Sequence, residues 1–225
     1  LTAARPRSAS TLRRVPLPAF VISQLGRPRG VFGRVLAAAL NRENLPLNLH
    51  MVGAIDTPSK AAVLEVGFGG GVGLDLLLRH LPDARITGVE RASDMLTLAR
   101  RRFAAELRAG RLELLEASVE RLPFPDQHFD AACTANCVYF WPDLDAGLRE
   151  LARVLRPGAR LVLAVNPPEV LIAAGFAAQG LNTLRADELA ARARSCGFTE
   201  VRARRMPDPG RHGSWLVIGE RDTNP

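Results

Sequence analysis

A fivefold alternation of short apolar runs with helical ones is the feature that most narrows the fold. AAVLEV (61–66), RITGVE (85–90), RLELLEA (111–117), FDAACTA (129–135) and RLVLAV (160–165) have strand length and lack helical charge spacing. Between them, GLDLLLRHL (73–81), SDMLTLARRRFAAELRAG (93–110) and DLDAGLRELARVLRPG (143–158) read as helices. Ser93 is the expected N-cap and Gly110 the stop of the second; Asp143 opens the third and Pro157-Gly158 closes it. ADELAARARSCGF (186–198) is a further helix stopped by Gly197, and TEVRARRM and SWLVIGER, joined by PDPGRHG, read as a closing hairpin. Such alternation implies an α/β fold, a Rossmann-like doubly wound sheet with helices on both faces. Burial on both faces explains the nearly continuous apolar character of VLEV and LVLAV. The hairpin predicts seven strands, mostly parallel with an antiparallel last strand.

The segment ahead of this alternation divides the chain. Residues 1 to about 18 carry Pro and Ser without periodicity and read as an arm. VFGRVLAAAL (31–40) is a helix with an apolar stripe, followed after a break near Pro46 by a second helical stretch. Residues 1–56 are therefore expected to form an arm and helical lid, and 57–225 the core. The net charge of +7 is concentrated early: Arg5, Arg7, Arg13, Arg14, Arg27, Arg29, Arg34 and Arg42 face one acid, Glu43. Lys60 is the only lysine, a skew that reads as coding bias toward GC-rich codons and weakens a nucleic-acid reading. No apolar run reaches 18 residues and the N-terminus lacks a signal-like apolar core, so no membrane span and a cytoplasmic location are expected. Cys133, Cys137 and Cys196 are too few for a disulfide framework and have no second Cys/His pair for zinc; no metal site is expected.

The glycine turn Glu65-Val66-Gly67-Phe68-Gly69-Gly70-Gly71-Val72-Gly73 follows a strand and opens a helix. A side chain at Gly67 or Gly69 would block a ligand from the backbone, while the helix N-terminus offers free N–H groups. Glu90 ends the next strand about 20 residues on, where an acid accepts hydrogen bonds from both ribose hydroxyls. Adenosine binding follows; what hangs on the ribose is decided by Glu65. A carboxylate there repels a pyrophosphate and suits an ammonium, which favours a methionine tail over a dinucleotide.

VLEVGFGGGVGLDLLL, GVERASDMLTLAR, SVERLPFPDQHFDAACTANCVYFWPDL and ELARVLRPGARLVLAV resemble, in order and spacing, the successive motifs of class I S-adenosylmethionine-dependent methyltransferases, nearest the ubiquinone and menaquinone methylases. The resemblance covers roughly residues 60 to 200 and implies S-adenosylmethionine as cofactor. It maps Glu65, Gly67, Phe68, Gly69 and Gly71 to the methionine end, Glu90 and Arg91 to the ribose, and Met95, Ser118, Val119 and Glu120 to adenine. Ser118 stands where many relatives have Asp, a weaker acceptor for the adenine amino group.

Ligands in open α/β sheets sit beyond the carboxyl ends of the strands, which places Asn136 and Tyr139 near the reacting methyl. Tyr139, Phe140 and Trp141 equally suit a core-capping role. His50 in the lid and His212 in the hairpin loop are the candidate bases, against a reading of both as merely packed or exposed. Arg27, Arg42 or Asn44 of the lid is expected to meet the methionine carboxylate or an acidic acceptor. Asn166-Pro167-Pro168 follows the fifth strand, not the fourth, and reads as a turn, which counts against DNA amino methylation. Methyl transfer to a small-molecule acceptor, secondary-metabolite or quinone-like, is the expected function. An RNA or protein methyltransferase using the basic arm, and an S-adenosylmethionine-binding protein without transfer, are the alternatives. A homodimer is left open as the assembly.

Overall fold

A computed structural model describes residues 16–207 and 213–223. Two helices lead in, α1 (Ala19–Gly26) and α2 (Gly30–Gly53), followed by β1 (Ala62–Val66), α3 (Val72–His80), β2 (Arg85–Glu90), α4 (Ser93–Arg102), α5 (Ala104–Arg108) and β3 (Leu112–Glu116). The second half contains β4 (Phe129–Ala135), α6 (Leu144–Val154), β5 (Leu155–Val165), α7 (Pro168–Ala173), α8 (Ala186–Ser195), β6 (Phe198–Met206) and β7 (Ser214–Arg221). The sheet order is β3-β2-β1-β4-β5-β7-β6. Strands β1 to β5 pair in parallel, and β7 runs antiparallel between β5 and β6.

The period of two along each strand splits the core into two layers. Leu64, Ala132, Leu161 and Leu163 face Leu148 and Leu151 of α6 and Leu189 of α8. Val63, Ala131 and Val162 face Leu47 and Met51 of α2, Leu74 and Leu77 of α3 and Leu96 of α4. The central strands β1, β4 and β5 are thus covered on both faces, as their apolar composition requires.

Four local expectations need correction. The helix does not break at Pro46: α2 runs through it, because Leu47, Met51, Val52 and Ile55 are buried against the sheet and α3, which offsets the lost N–H donor. The 93–110 helix does break, at Phe103, whose ring is buried under the Arg102 guanidinium and beside Gly71. Ser93 is the first helical residue and not the cap; Ala92 takes that place, its N–H held by the Glu90 carboxylate. The helix opened by Asp143, whose side chain accepts from the Ala146 N–H at 2.9 Å, ends at Val154. The chain enters β5 there, and Arg156-Pro157-Gly158 lies in an irregular stretch where Phe129 and Ala131 pair with Leu155 and Arg160.

Candidate functional site

Strand order reverses between β1 and β4, and the cleft lies beyond the carboxyl ends of the strands there, as expected for open α/β sheets. Its floor is the glycine turn. Gly67 has φ +72 and donates to Val89 O at 2.7 Å, and a Cβ there would strike Cys137 Sγ. Gly69 has φ +49 with open space where its Cβ would be, and its N–H donates to Glu90 Oε2 at 2.9 Å. Gly71 turns the chain into α3 against Phe103 and does not line the cleft.

Two adjoining cavities, about 80 and 100 Å³, share Leu25, Pro28, Gly67, Gly69 and Asn136. The first is walled by Glu90, Arg91, Ser118, Val119 and Trp141, the second by Phe68 and Glu65. Glu90 is buried and accepts from the N–H groups of Gly69 and Ala92; burial raises its pKa and those hydrogen bonds lower it. Arg91 reaches outward, donating to Gly26 O at 3.2 Å and Phe140 O at 3.3 Å, and so ties the end of α1 to the 3-10 turn Val138–Phe140. Trp141 Nε1 donates to Cys137 Sγ at 3.3 Å, and burial pushes the Cys137 thiol up to about 11.

Glu65 is 2% exposed, and its Oε2 has no hydrogen-bond partner among the described residues. Burial first, then the charge of Glu90, raises its pKa from 4.5 to about 8. A Cβ on Gly73 would collide with this carboxylate and with Asn48, which packs beside it.

Asn136 lines both cavities from a left-handed backbone, φ +52, which Asn tolerates. Its Nδ2 donates to Asn44 Oδ1 at 2.9 Å, and its Oδ1 accepts from Tyr139 OH at 3.1 Å and Asn166 Nδ2 at 3.0 Å. Tyr139 sits behind it, buried, its hydroxyl accepting the Asn166 N–H and its ring against Phe140 and Phe176. Burial raises the phenol's pKa.

Other sequence candidates fall outside the lining. Met95 is buried and lines neither cavity. Glu120 holds the loop to α6, accepting from Ser118 Oγ and the Asp143 N–H. His50 lies 3.3 Å from Pro207 O, away from the cleft, and His212 lies outside the described residues. Arg27 and Arg42 are exposed and line neither cavity, so neither is placed to meet the methionine carboxylate, whereas Asn44 lines the second. Asn41, Asn48 and Cys137 are cleft residues that the sequence reading did not single out. Asn166, read as a turn residue, is a partner of Asn136. Among the described residues no group of His, Cys, Asp and Glu is placed to hold a metal, and no helix is long and apolar enough to cross a membrane.

Residues 64–163, which carry the glycine turn, Glu90 and Asn136, match the family described as a methyltransferase domain. Over that stretch the chain is similar to the class I methyltransferases. It is 40% identical over 119 residues to a fatty-acid O-methyltransferase of Mycolicibacterium smegmatis, covering 53% of this chain and 42% of that one. It is 40% identical over 106 residues to a demethylmenaquinone methyltransferase of Thermus thermophilus, 47% of either chain. The chain therefore spans less than half the length of these two curated relatives. A chain in the complex between the Haloferax volcanii Trm112 methyltransferase activator and a methyltransferase shares the fold, with a TM-score of 0.71 at 20% identity over 86% of this chain and 99% of that one.

Proposed function

We propose that this methyltransferase binds S-adenosylmethionine in the cleft and passes its methyl group to a small-molecule acceptor. The observation that carries the reading is the orphaned, buried Glu65 carboxyl at one end of a glycine-floored cleft whose other end is walled by Glu90. A ligand with an ammonium, a ribose and an aromatic base in sequence fits that lining. Glu65 suits the ammonium, Glu90 and Gly69 the ribose, and Ser118, Val119 and Trp141 the base. A pyrophosphate in place of the methionine tail would face Glu65. Bound there, S-adenosylmethionine supplies an electrophilic methyl on a sulfonium.

The chain's own contribution is alignment and exclusion of water, which such an in-line displacement chiefly requires. Asn136 is fixed by three side-chain partners and faces both cavities. Leu25 and Pro28 bear on both cavities, and Asn41 and Asn44 on one, so residues 19–56 serve as a lid as well as a brace. The phenol of Tyr139 is kept protonated by burial and is engaged by Asn136 and Asn166, and no described histidine lines the cleft; Tyr139 positions Asn136 and is not a base. The fatty acid and demethylmenaquinone named for the two relatives favour an apolar small molecule over RNA or a peptide. Calorimetric titration tests the cofactor: S-adenosylhomocysteine binds and NAD does not. Tighter binding of NAD would overturn the reading.

A further inference from the structure

Outside α1 lies a third and larger cavity, about 460 Å³, that shares Gly26, Arg91 and Phe140 with the cleft. Its rim carries three guanidinium groups, Arg27, Arg29 and Arg91, and among the described residues its lining contains no carboxylate. Arg91 spends two donors on the carbonyls of Gly26 and Phe140, and its charge is partly balanced by Glu90 behind it. Asp94, the other acid at hand, accepts the Gly30 N–H at 2.6 Å. The head groups of Arg27 and Arg29 are exposed and have no acidic partner among the described residues.

The two arginines flank Pro28, whose ring fixes φ, and the Arg29 N–H is held by Gln24 Oε1 at 2.8 Å, so the turn that presents them is constrained. The rest of the lining mixes apolar Ile22, Phe140 and Leu181 with neutral polar Ser23, Gln24 and Gln179. We propose that this cavity anchors an acceptor of one chemical class, an acidic amphiphile, with its oxyanion on Arg27 and Arg29 and its apolar body along Ile22, Phe140 and Leu181. A guanidinium offers paired donors in a plane, which matches carboxylate and phosphate oxygens alike. Phe140 and Gly26 form the partition between the cavity and the cleft, with a Cβ on Gly26 only 2.6 Å from the Phe140 ring, so an occupant abuts the cleft at the tip of α1. This assignment rests on the methyltransferase reading for its name as an acceptor site, and on the cavity alone for its ligand chemistry.

Calorimetric titration of octanoate, octyl phosphate and octanol into the full chain, with and without S-adenosylhomocysteine, tests it. The anions bind the wild type more tightly than octanol, and the double variant Arg27→Gln, Arg29→Gln loses about tenfold or more of that affinity, as expected for two partly exposed charged hydrogen-bonding groups. Octanol binds both proteins equally, and the variant keeps the wild-type affinity for S-adenosylhomocysteine. Tighter wild-type binding of octanoate marks a carboxylate acceptor, and of octyl phosphate a phosphate ester. Equal anion affinity in wild type and variant, or octanol binding as tightly as the anions, overturns the assignment. Should S-adenosylhomocysteine fail to bind the wild type, the cofactor reading falls, while the titrations without it still decide the cavity's chemistry.

Discussion

Replacing Glu65 with glutamine isolates the energetic cost of one buried carboxyl. Strand β1 carries Glu65 into the layer beneath α2 and α3, where it is 2% exposed and half unpartnered. Its pKa stands at about 8 against 4.5 for the free side chain. The folded state thus holds this proton more tightly than the unfolded one. The corresponding stability is fully present below pH 4.5 and is lost progressively up to about pH 8. At 1.36 kcal/mol per pKa unit the full loss is about 5 kcal/mol, a ceiling that water entering the adjoining cavity lowers to about 3–5 kcal/mol. Glutamine keeps the shape and does not titrate, so any fixed cost of its amide is the same at every pH. Urea unfolding followed by tryptophan fluorescence, at steps from pH 5 to 8.5, gives the difference between the two proteins. The variant gains about 3–4 kcal/mol on the wild type across that range, because part of the full loss falls below pH 5. Parallel stability curves would refute the burial argument. The same proton bears on the proposed function. At pH 7 the free carboxyl is about 0.9 protonated, so an ammonium seated against it displaces nearly one proton. S-adenosylhomocysteine titrated in buffers of different ionisation enthalpy then shows proton release from the wild type and none from Glu65→Gln.

Two further outcomes follow from the geometry. Gly69→Val places a branched side chain at φ +49 and into the open space of the cleft, so it weakens S-adenosylhomocysteine binding by at least about tenfold and stability by about 1–2 kcal/mol; calorimetry and urea unfolding check both. Tyr139→Phe keeps the packed ring but leaves the Asn166 N–H and Asn136 without the hydroxyl, costing about 1–3 kcal/mol in urea unfolding. If the phenol only positions Asn136, turnover falls modestly and the pH profile keeps its shape, whereas loss of a basic limb in that profile would make Tyr139 a proton acceptor.

What the sequence disclosed divides along local and non-local lines. β2 and β4 begin and end where they were expected to, because the buried stretches Ile86–Val89 and Ala131–Thr134 are short, strand-length and bounded on either side by polar residues or turns. The glycine turn and Glu90 were legible for a similar reason: backbone geometry at Gly67 and Gly69 admits little else, and the acid lies a fixed span away. Pro46 misled because its cost is local while the burial of Met51 and Val52 that offsets it is tertiary. Asn166 was read as a turn because its partnership with Asn136 exists only once β4 and β5 lie side by side. Glu120 sits in the right loop, but its carboxylate turns to the start of α6.

One signal was present in the sequence and went unread. Asn41, Asn44 and Asn48 fall at spacings of three and four on α2, a single helical face. As a polar stripe on a helix ahead of the core it looks solvated. The structure lays it along the glycine turn: Asn41 reaches Gly70 O at 3.5 Å, Asn44 accepts from Asn136, and Asn48 is buried beside Glu65 with its amide on Asn44 O at 2.9 Å. The choice of amide has an electrostatic consequence. A neutral amide donates and accepts without adding charge, so the stripe satisfies the polar turn and leaves Glu65 as the only ionisable group lining that cavity among the described residues. An arginine or lysine at any of the three positions would pair with Glu65, lower its pKa and neutralise it before a ligand arrived. The apolar alternative would strip the turn of its partners. Amides on this face preserve an uncompensated carboxyl at the end of the cleft where the methionine ammonium is proposed to lie.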